Sequence, residues 1–406
     1  MRCLIIGKVW PEPCSTAAGR HTLDLIQALR LAGWDLHFAS TAQAGPHSSD
    51  LEAWQVRSYS IQVNDSAFDP WLQALAPDVV LFDRFMTEEQ FGWRVAAHCP
   101  QALRVLDTSD LHCLREARQQ QLKQGGALNL FNELALREIA AILRSDLTLM
   151  ISQYELELLR EVFAVPASQL AYWPFGLDTP AQPAPNFARR THFIMIGGFQ
   201  HAPNLDAARW CKQAIWPLIR QALPQAELHC YGSYGERYAG ELHAPQQGFH
   251  FMGRAEDALQ TMQCYRVNLA PLRFGAGLKG KLFDAFETST PSVTTLIGAE
   301  GIVVDAADWG CTISEQPERF AAAAIQLYQD AEQWTAVQAC GRRLAMQRFD
   351  RCYWAQQLPQ LLETARLAID ANRQVNFMGR MLRHHQHRST EFMSRWIEAK
   401  NRPAAE

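Results

Sequence analysis

A glycine- and lysine-rich stretch, GAGLKGK at Gly275 to Lys281, contains residue types that fit a defined chemistry. It matches the spacing G-x-x-x-x-G-K of loops that bind nucleoside triphosphates through backbone amides and a lysine. Those loops continue with a serine or threonine that binds magnesium, whereas Leu282 follows here. Several strand-like segments also precede this stretch, although such a loop normally follows the first strand of its domain. The pattern therefore argues against a triphosphatase and predicts phosphate binding without a metal.

The same stretch keeps the physical features of a diphosphate site. RVNLAPL before it is typical of a strand and LKGKLFDAFE begins a helix, so free amides and the helix dipole favour an anion at the loop. Lys279 and Lys281 add charge, and the backbone at 275–277 permits a ligand to approach closely. Asp284 falls one turn after Lys281, where a carboxylate can accept hydrogen bonds from a ribose. The alternative interpretation is a surface turn with two solvated lysines.

The elements around this loop indicate an α/β protein. In residues 1–178, RCLIIG, LHFAS, DVVLFD, ALRVLD and DLTLMI are typical of strands buried on both faces, with helical segments between them. A proline-rich passage at 179–190 can continue neither kind of element, so we interpret it as a linker. The alternation then resumes over 191–345. The sequence predicts two Rossmann-like, doubly wound parallel-sheet domains.

Helical periodicity continues past the second domain. We interpret residues 346–370 as helices that can return to the first domain, and 371–406 as a basic amphipathic tail. The tail holds seven Lys/Arg and three Asp/Glu, a charge of +4, so the remainder of a chain of net charge −4 carries −8. Five tail side chains fall near one helical face: Phe377, Met381, His385, Phe392 and Trp396.

The function of the tail stays open at this level. Residues 373–402 could contact a membrane surface or RNA, or pack on the protein itself or on a second copy. The oligomeric state is equally open.

Composition and cysteine usage limit the class of protein. A chain of 406 residues with 48% hydrophobic and 20% charged residues is ordinary globular material with room for two domains. Its ten cysteines form no C-x-x-C pair, which predicts reduced core cysteines instead of disulfides or a zinc site. MRCLIIG is too short for a signal-peptide core, and no run reaches about 18 apolar residues. We expect a cytoplasmic protein, peripheral at the inner face of the membrane if the tail binds lipid.

Residues 193–233 and 270–302 resemble the C-terminal domain of family 4 glycosyltransferases, and the likeness extends more weakly from Met1 to about Asp370. The resemblance implies the GT-B fold, in which two Rossmann-like domains face each other across a cleft, with a helical C-terminal extension. It implies retaining transfer from a nucleotide-diphosphate sugar, with no bound metal and no cofactor besides this co-substrate. The donor would lie mainly on the C-terminal domain and the acceptor on the N-terminal one.

The resemblance also assigns donor contacts. Asp284 stands where the family places the ribose-binding second glutamate of a pair, and Ala276 stands where the first would be, a departure that removes a carboxylate from donor-sugar recognition. After the first strand of this domain the family has an Arg and a Lys, whereas this chain reads GGFQHAPN, which is also a good helix start. Lys279 and Lys281 would neutralise the departing diphosphate as catalytic residues. The implied diphosphate contacts are Gly275, Ala276, Gly277, Lys279, Lys281, Gly198, His201 and Asn204.

In the N-terminal domain the resemblance covers two turns. PEPCSTAAGRH occupies the acceptor loop of the family, with Ala18 and Gly19 at its tightest part. His112, after the strand ALRVLD, resembles the active-site histidine of the family, at the strand end where α/β sites lie; a structural role is the alternative. Arg115 could support a phosphate or the acceptor, or form a solvated ion pair.

The acceptor is not identified by the sequence. A glycan or lipid-linked precursor is the favoured acceptor. Glycosylation of an RNA nucleoside or a protein through the tail is one alternative, and a non-catalytic nucleotide-sugar-binding protein, suggested by Ala276, is another.

Overall fold

The structure, a computed structural model, shows two α/β domains, each built on a parallel sheet, and describes residues 1–14, 16–178 and 184–401. Residues 179–183 of the predicted linker and 402–406 of the predicted tail lie outside the described residues. The prediction of two parallel-sheet domains with a helical C-terminal region is confirmed.

The first sheet has seven parallel strands in the order β3-β2-β1-β4-β5-β6-β7. Its strands are β1 (Arg2–Gly7), β2 (Asp35–Ser40), β3 (Val56–Ser60), β4 (Val79–Asp83), β5 (Leu103–Asp107), β6 (Leu147–Met150) and β7 (Leu170–Tyr172). Its helices are α1 (Ala17–Leu31), α2 (Phe68–Leu75), α3 (Phe85–His98), α4 (His112–Gln124), α5 (Glu133–Arg144) and α6 (Gln153–Glu161). The five predicted strands are present, and β3 and β7 are additional edge strands.

Helices cover both faces of this sheet, which explains the continuous apolar runs of its central strands. Every residue of β4 and β5 is buried, as expected where crossover helices lie on both sides. Polar side chains cap several helices: Thr16 accepts a hydrogen bond from the amide of Gly19 at the start of α1, and Asn132 accepts one from Ala135 at the start of α5. Side-chain caps therefore define where these two helices begin.

The second sheet has five parallel strands in the order β10-β9-β8-β11-β12. Its strands are β8 (Thr191–Ile196), β9 (Leu228–Tyr231), β10 (Phe249–Gly253), β11 (Tyr265–Ala270) and β12 (Ser292–Thr294). Its helices are α7 (Ala202–Trp210), α8 (Trp216–Ala222), α9 (Ala239–Leu242), α10 (Ala258–Met262), α11 (Gly280–Glu287), α12 (Leu296–Ala299), α13 (Pro317–Gln329) and α14 (Ala331–Arg348). A π-helical turn, Cys211–Ile215, joins α7 to α8.

The C-terminal helices return to the first domain. They are α15 (Arg351–Leu367), α16 (Ile369–Val375), α17 (Phe377–Leu382) and α18 (Arg388–Asn401), with a π-helical turn at Arg383–His387. Leu358 and Leu362 of α15 are fully buried in the same core cluster as Leu25 of α1. The indole nitrogen of Trp173 donates to the carbonyl oxygen of Trp354 at 2.9 Å. None of the helices in the described part of the chain is long and apolar enough to cross a membrane.

Candidate active site

The predicted donor loop lies between two segments of the first domain. A Cβ atom on Gly277 would lie 2.7 Å from the Cβ of Asp110 and 3.0 Å from the carbonyl oxygen of Ser109, in the turn after β5. A Cβ on Gly280 would lie 2.4 Å from that of Ala17, at the start of α1. Gly277 also has a left-handed φ of +63°. Glycine is therefore required where the loop of the second domain meets the first.

Four of the predicted donor residues lie together on the second domain. The ammonium of Lys281, in the first turn of α11, donates to Oδ1 of Asn204 at 2.7 Å. The amide nitrogen of the Asn204 side chain donates to the carbonyl oxygen of Gly198 at 2.9 Å. His201 precedes α7 directly, and the charge of Lys281 acts on it. Burial lowers the pKa of Lys281 to about 8.

Cations of the first domain face this group. His201 is exposed at the surface of the cleft, yet many protein atoms surround its ring. The resulting desolvation is the first cause that lowers the pKa of the imidazole, to about 3, and the charges of Arg115 and Lys281 come next. His112 and Arg84 make smaller contributions. The imidazole is therefore neutral. Positive side chains of both domains converge on one region of the cleft, which favours an anion there. Two of them also have carboxylate neighbours, because Arg115 pairs with Asp110 and Arg84 lies 3.5 Å from Asp83.

Two cationic residues near His112, Lys8 and Arg84, were not predicted as site residues. Lys8 directly follows β1 and Arg84 directly follows β4, and each lowers the pKa of the His112 imidazole. The amide of Lys8 donates to Oδ2 of Asp83 at 3.1 Å, while Arg84 has a φ of +68°, which is unfavourable for a residue with a Cβ. The available signal was their position, because ligands of open parallel sheets bind at the carboxyl ends of the strands.

His112 is the first residue of α4, and its Nε2 atom lies 3.4 Å from Oδ1 of Asp110. Burial lowers the pKa of the imidazole, so the ring is neutral near pH 7. The amides of His112 and Cys113 donate to the two carboxylate oxygens of Glu138 at 3.0 and 2.8 Å. The positive end of α4 already has an anion, so the side chain of His112 and not the helix terminus is offered to a ligand.

A buried glutamate joins this histidine segment to the donor loop. Glu155, in the first turn of α6, accepts hydrogen bonds from the amide of Leu111 at 3.2 Å and from the amide of Gly277. Its side chain is fully buried, and this burial raises the pKa of the carboxyl to about 7. Glu155 was not predicted as a site residue. It fixes the position of the loop of one domain relative to the His112 segment of the other.

Lys279 lies apart from Lys281. Its ammonium donates to the carbonyl oxygen of Gly277 at 2.6 Å and lies 4.0 Å from Glu300, and burial lowers its pKa to about 8. Arg118 of α4 donates to both carboxylate oxygens of Glu300, at 2.8 and 2.6 Å. The sequence analysis predicted that both lysines and the amides of 275–277 bind one diphosphate. In the structure the amide of Gly277 already donates to Glu155, and Glu300, which lies next to Lys279, is bonded by Arg118.

The loop is tied to the first domain at two more positions. A side-chain nitrogen of Arg118 donates to the carbonyl oxygen of Gly275 at 2.8 Å. Ala276 is 9% exposed and belongs to the core cluster of the first domain. A glutamate at this position would bury a carboxylate in apolar surroundings, which is a physical reason for the departure.

The predicted ribose residue contacts the acceptor-side helix. Arg20 of α1 donates to Oδ1 of Asp284 at 3.1 Å and also pairs with Glu287. Burial raises the pKa of Asp284 to about 6, although Arg20 opposes the shift. Ala18 and Gly19 form the first turn of α1 together with Ala17, and a Cβ on Gly19 would lie 2.5 Å from the backbone of Glu12. The turn expected to bind the acceptor is therefore tight, and it adjoins the donor loop.

A group of metal-ligating residue types lies away from the cleft. Among the described residues, Glu227, His229 and His250 are close enough together to hold a metal ion, near the amino-terminal ends of β9 and β10. The imidazole of His229 already bonds Glu227 at 2.9 Å and the hydroxyl of Tyr265 at 2.7 Å. Nε2 of His250 lies 3.8 Å from Glu227 and has no hydrogen-bond partner in the part of the chain that the structure describes, so this group is only partly satisfied; it lies at the edge opposite the predicted donor site.

Comparison with known proteins gives a domain match and a fold. Residues 190–330 match the family model described as glycosyl transferases group 1. HepE of Anabaena, solved in complex with UDP and glucose, is 16% identical, with 89% of this chain and 99% of that chain covered and a TM-score of 0.66. Sucrose-phosphate synthase of Thermosynechococcus elongatus is 13% identical, with coverage of 91% and 100% and a TM-score of 0.64.

A third similar structure is WaaG, a glycosyltransferase involved in lipopolysaccharide biosynthesis, at 13% identity, coverage of 91% and 99%, and a TM-score of 0.59. No curated protein sequence matches the chain. At these identities the structural likeness shows the fold alone, which is the two-domain GT-B fold.

Proposed function

We propose that the protein is a retaining glycosyltransferase that uses a nucleotide-diphosphate sugar and requires no metal. The observation that carries this proposal is the convergence of cationic and hydrogen-bonding side chains from both domains on one part of the cleft. The second domain contributes Lys281, His201 and Asn204, and the first contributes Lys8, Arg84 and Arg115. A diphosphate bound among them would have its developing charge stabilised as the sugar departs.

The proposed donor is a uridine-diphosphate sugar. HepE, whose fold this chain shares, has been solved in complexes with UDP and with UDP-glucose. The group 1 domain match over residues 190–330 covers the predicted donor loop and the GGFQHAPN turn. Both findings support a nucleotide sugar as the ligand of the second domain.

The proposed transfer uses no protein nucleophile. The bond between the anomeric carbon and the diphosphate oxygen breaks, the acceptor oxygen attacks the same face, and the leaving phosphate oxygen takes the acceptor proton. His112 would hydrogen-bond the donor sugar as a neutral imidazole, in keeping with its lowered pKa. Lys281 would neutralise the leaving group and Asp284 would hold the ribose. The acceptor would enter beside Ala18, Gly19 and Arg115.

The acceptor we favour is a glycan or a lipid-linked glycan precursor. An RNA nucleoside or a protein is the alternative acceptor class. A nucleotide-sugar-binding protein without activity is the alternative function, because Ala276 leaves the loop without the carboxylate that the resemblance places there.

A screen of nucleotide sugars by thermal shift tests the proposal first, since a ligand that binds only the folded protein raises its melting temperature. The stabilising donor is then titrated by calorimetry into wild type and Lys281→Ala. Loss of a charged hydrogen bond of about 1.5–3 kcal/mol predicts an affinity roughly 10- to 100-fold weaker. Lys123→Ala, at the exposed end of α4, is the matched control and should bind normally.

Two further measurements separate the alternatives. Slow donor hydrolysis without acceptor, retained in EDTA, supports a metal-independent enzyme, and the anomeric configuration of the product tests retention. A donor that binds tightly but is never hydrolysed or transferred would favour the non-catalytic alternative. If no nucleotide sugar stabilises the protein, the proposal is wrong.

A further inference from the structure

From Arg373 onward, the C-terminal segment binds the first domain through polar side chains. Arg373 of α16 donates to both carboxylate oxygens of Asp146, at 2.8 and 2.6 Å. Asn376 donates to the carbonyl oxygen of Leu143 at 2.9 Å, and Arg383 donates to that of Arg144 at 2.8 Å. The inward face of this segment is therefore made of hydrogen-bonding groups.

The same polar contact continues along α18. The imidazole of His387 lies 3.5 Å from Oε1 of Glu88, and Arg94 of α3 donates to the hydroxyl of Ser394 at 3.3 Å. Gly379 lies against α5 so closely that a Cβ would be 2.1 Å from the carbonyl oxygen of Leu143. These contacts fix which side of the helix faces outward.

The outward face is apolar, the reverse of the usual arrangement of a surface helix. At least half of each of five large apolar side chains is exposed: Phe377, Met378, Phe392, Met393 and Trp396. Met381 is also exposed. From Phe377 to Trp396 the helix rises about 30 Å at 1.5 Å per residue. We call this surface, residues 377–396 with Lys400, the outward tail face. Its apolar groups form a ridge along the helix, whereas apolar residues on most protein surfaces are scattered singly.

Cations outnumber carboxylates along this ridge. Arg380, Arg388, Arg395 and Lys400 are exposed. Of the two glutamates in the segment, Glu391 pairs with Arg395 at 2.6 Å and so offsets one of these cations, and Glu398 accepts a hydrogen bond from Ser66. Residues 377–401 hold five Lys/Arg and two Glu, a formal charge of +3. A surface with exposed apolar groups and flanking cations matches an anionic lipid bilayer.

We propose that the outward tail face docks this protein on the surface of an anionic membrane, with Phe392, Trp396 and their neighbours in the interface and the arginines at the lipid phosphates. A second copy using the same face would bring these cations opposite one another, because a two-fold interface is isologous. RNA is also disfavoured, since methionine offers no ring for base stacking and single strands bind in grooves, not on a convex ridge.

Two further apolar side chains are exposed at α5, the helix against which Gly379 packs. Leu136 and Phe131, at the start of α5, are 65% and 69% exposed. Leu136 belongs to α5, whose last residues Leu143 and Arg144 accept hydrogen bonds from the tail. Glu138 of the same helix holds the backbone of the His112 segment. Docking that also engages Leu136 and Phe131 would bring α5, and with it the His112 segment that Glu138 holds, close to the lipid headgroups. This last step rests on the proposed function, whereas membrane docking does not.

Vesicle flotation of the full chain tests the proposal without any activity. The protein should float with vesicles of phosphatidylglycerol and phosphatidylcholine at low salt, and remain behind with phosphatidylcholine alone. Arg380→Gln/Arg388→Gln/Arg395→Gln should lower partitioning on the order of 100-fold, from about 1 kcal/mol for each cation near the surface. Phe392→Ser/Trp396→Ser should lower it at every salt concentration.

The matched control is Leu31→Ser/Leu367→Ser, which changes two apolar side chains that are 70% and 87% exposed on other helices. This variant should float like wild type. Failure of the wild type to float, or equal flotation of the tail variants, would overturn the proposal. The proposal would also be overturned if the wild type does not bind vesicles but forms a dimer, or binds single-stranded RNA, and the tail variants abolish that binding. Unchanged melting temperatures of all variants show that the fold is intact, and donor binding is measured separately.

Discussion

Substitution of Gly277 is expected to separate the two domains at the donor loop. In Gly277→Ala the new methyl group would lie 2.7 Å from the Cβ of Asp110, whereas ordinary contact begins at 3.4 Å, so the loop must move by at least 0.7 Å, the difference of these two values. The left-handed φ of +63° adds a backbone cost of about 1–2 kcal/mol for any residue with a Cβ. A displacement approaching 1 Å at reacting groups can lower a rate by about 100-fold.

The assay is kcat/KM with the donor found by screening, together with the melting temperature. Gly33→Ala is the control, because Gly33 has a similar φ of +76° and nothing within 4 Å of the added Cβ. It should carry the backbone cost alone, with a lower melting temperature and unchanged kcat/KM. Gly277→Ala should lose roughly 10- to 100-fold in kcat/KM as well. Wild-type kcat/KM in Gly277→Ala would refute the idea that close contact between this loop and Asp110 matters for activity.

Three further predictions concern charge and burial. Donor affinity should fall above about pH 8, because the pKa of Lys281 is lowered to about 8 and its ammonium loses its charge there. Lys281→Arg should remove this pH dependence in calorimetry, because a guanidinium stays charged. Arg190→Ala should lower the free energy of unfolding by about 3–5 kcal/mol, because the buried guanidinium donates to the hydroxyl of Thr290 and to the carbonyl oxygen of Thr288 and the truncation removes these bonds from the interior; thermal melting checks this against the exposed neighbour Arg189→Ala. The pKa of Glu155 is about 7 in the folded state and 4.5 in the unfolded state, so the folded state holds the proton more tightly and loses stability as the pH rises between these values. The melting temperature of the wild type should therefore fall between about pH 5 and pH 8 relative to that of Glu155→Gln.

The sheets could be predicted from the sequence because their central strands are continuous apolar runs. DVVLFD and ALRVLD are buried on both faces and have no other good interpretation. The strands that were not predicted, β3, β7 and β12, lie at sheet edges, where VRSYS, LAY and SVT are short or partly polar. Burial on one side only, or pairing with one neighbour, leaves a weak sequence pattern.

The predicted donor loop and the GGFQHAPN turn are predictions from local spacing, which a single sequence carries. Lys281 and Asn204 lie within hydrogen-bond distance, as residues predicted for one diphosphate should. Contacts between domains have no such signal. Ser152 and Glu155 read as a capping box, in which the glutamate would return to its own helix start. Instead the carboxylate of Glu155 accepts hydrogen bonds from the amides of Leu111 and Gly277, which are far away in the chain.

This contact changes the meaning of the alanine in the donor loop. A carboxylate does lie at the loop, but Glu155 of the first domain supplies it next to Gly277, while Ala276 packs into the core of that domain. A glutamate at position 276 would belong to the second domain in any arrangement of the two. Glu155 reaches the loop only when the domains are together. The geometry of the predicted donor loop and of α11 therefore depends on contacts with the first domain, which are made by the side chains of Glu155, Arg118 and Arg20.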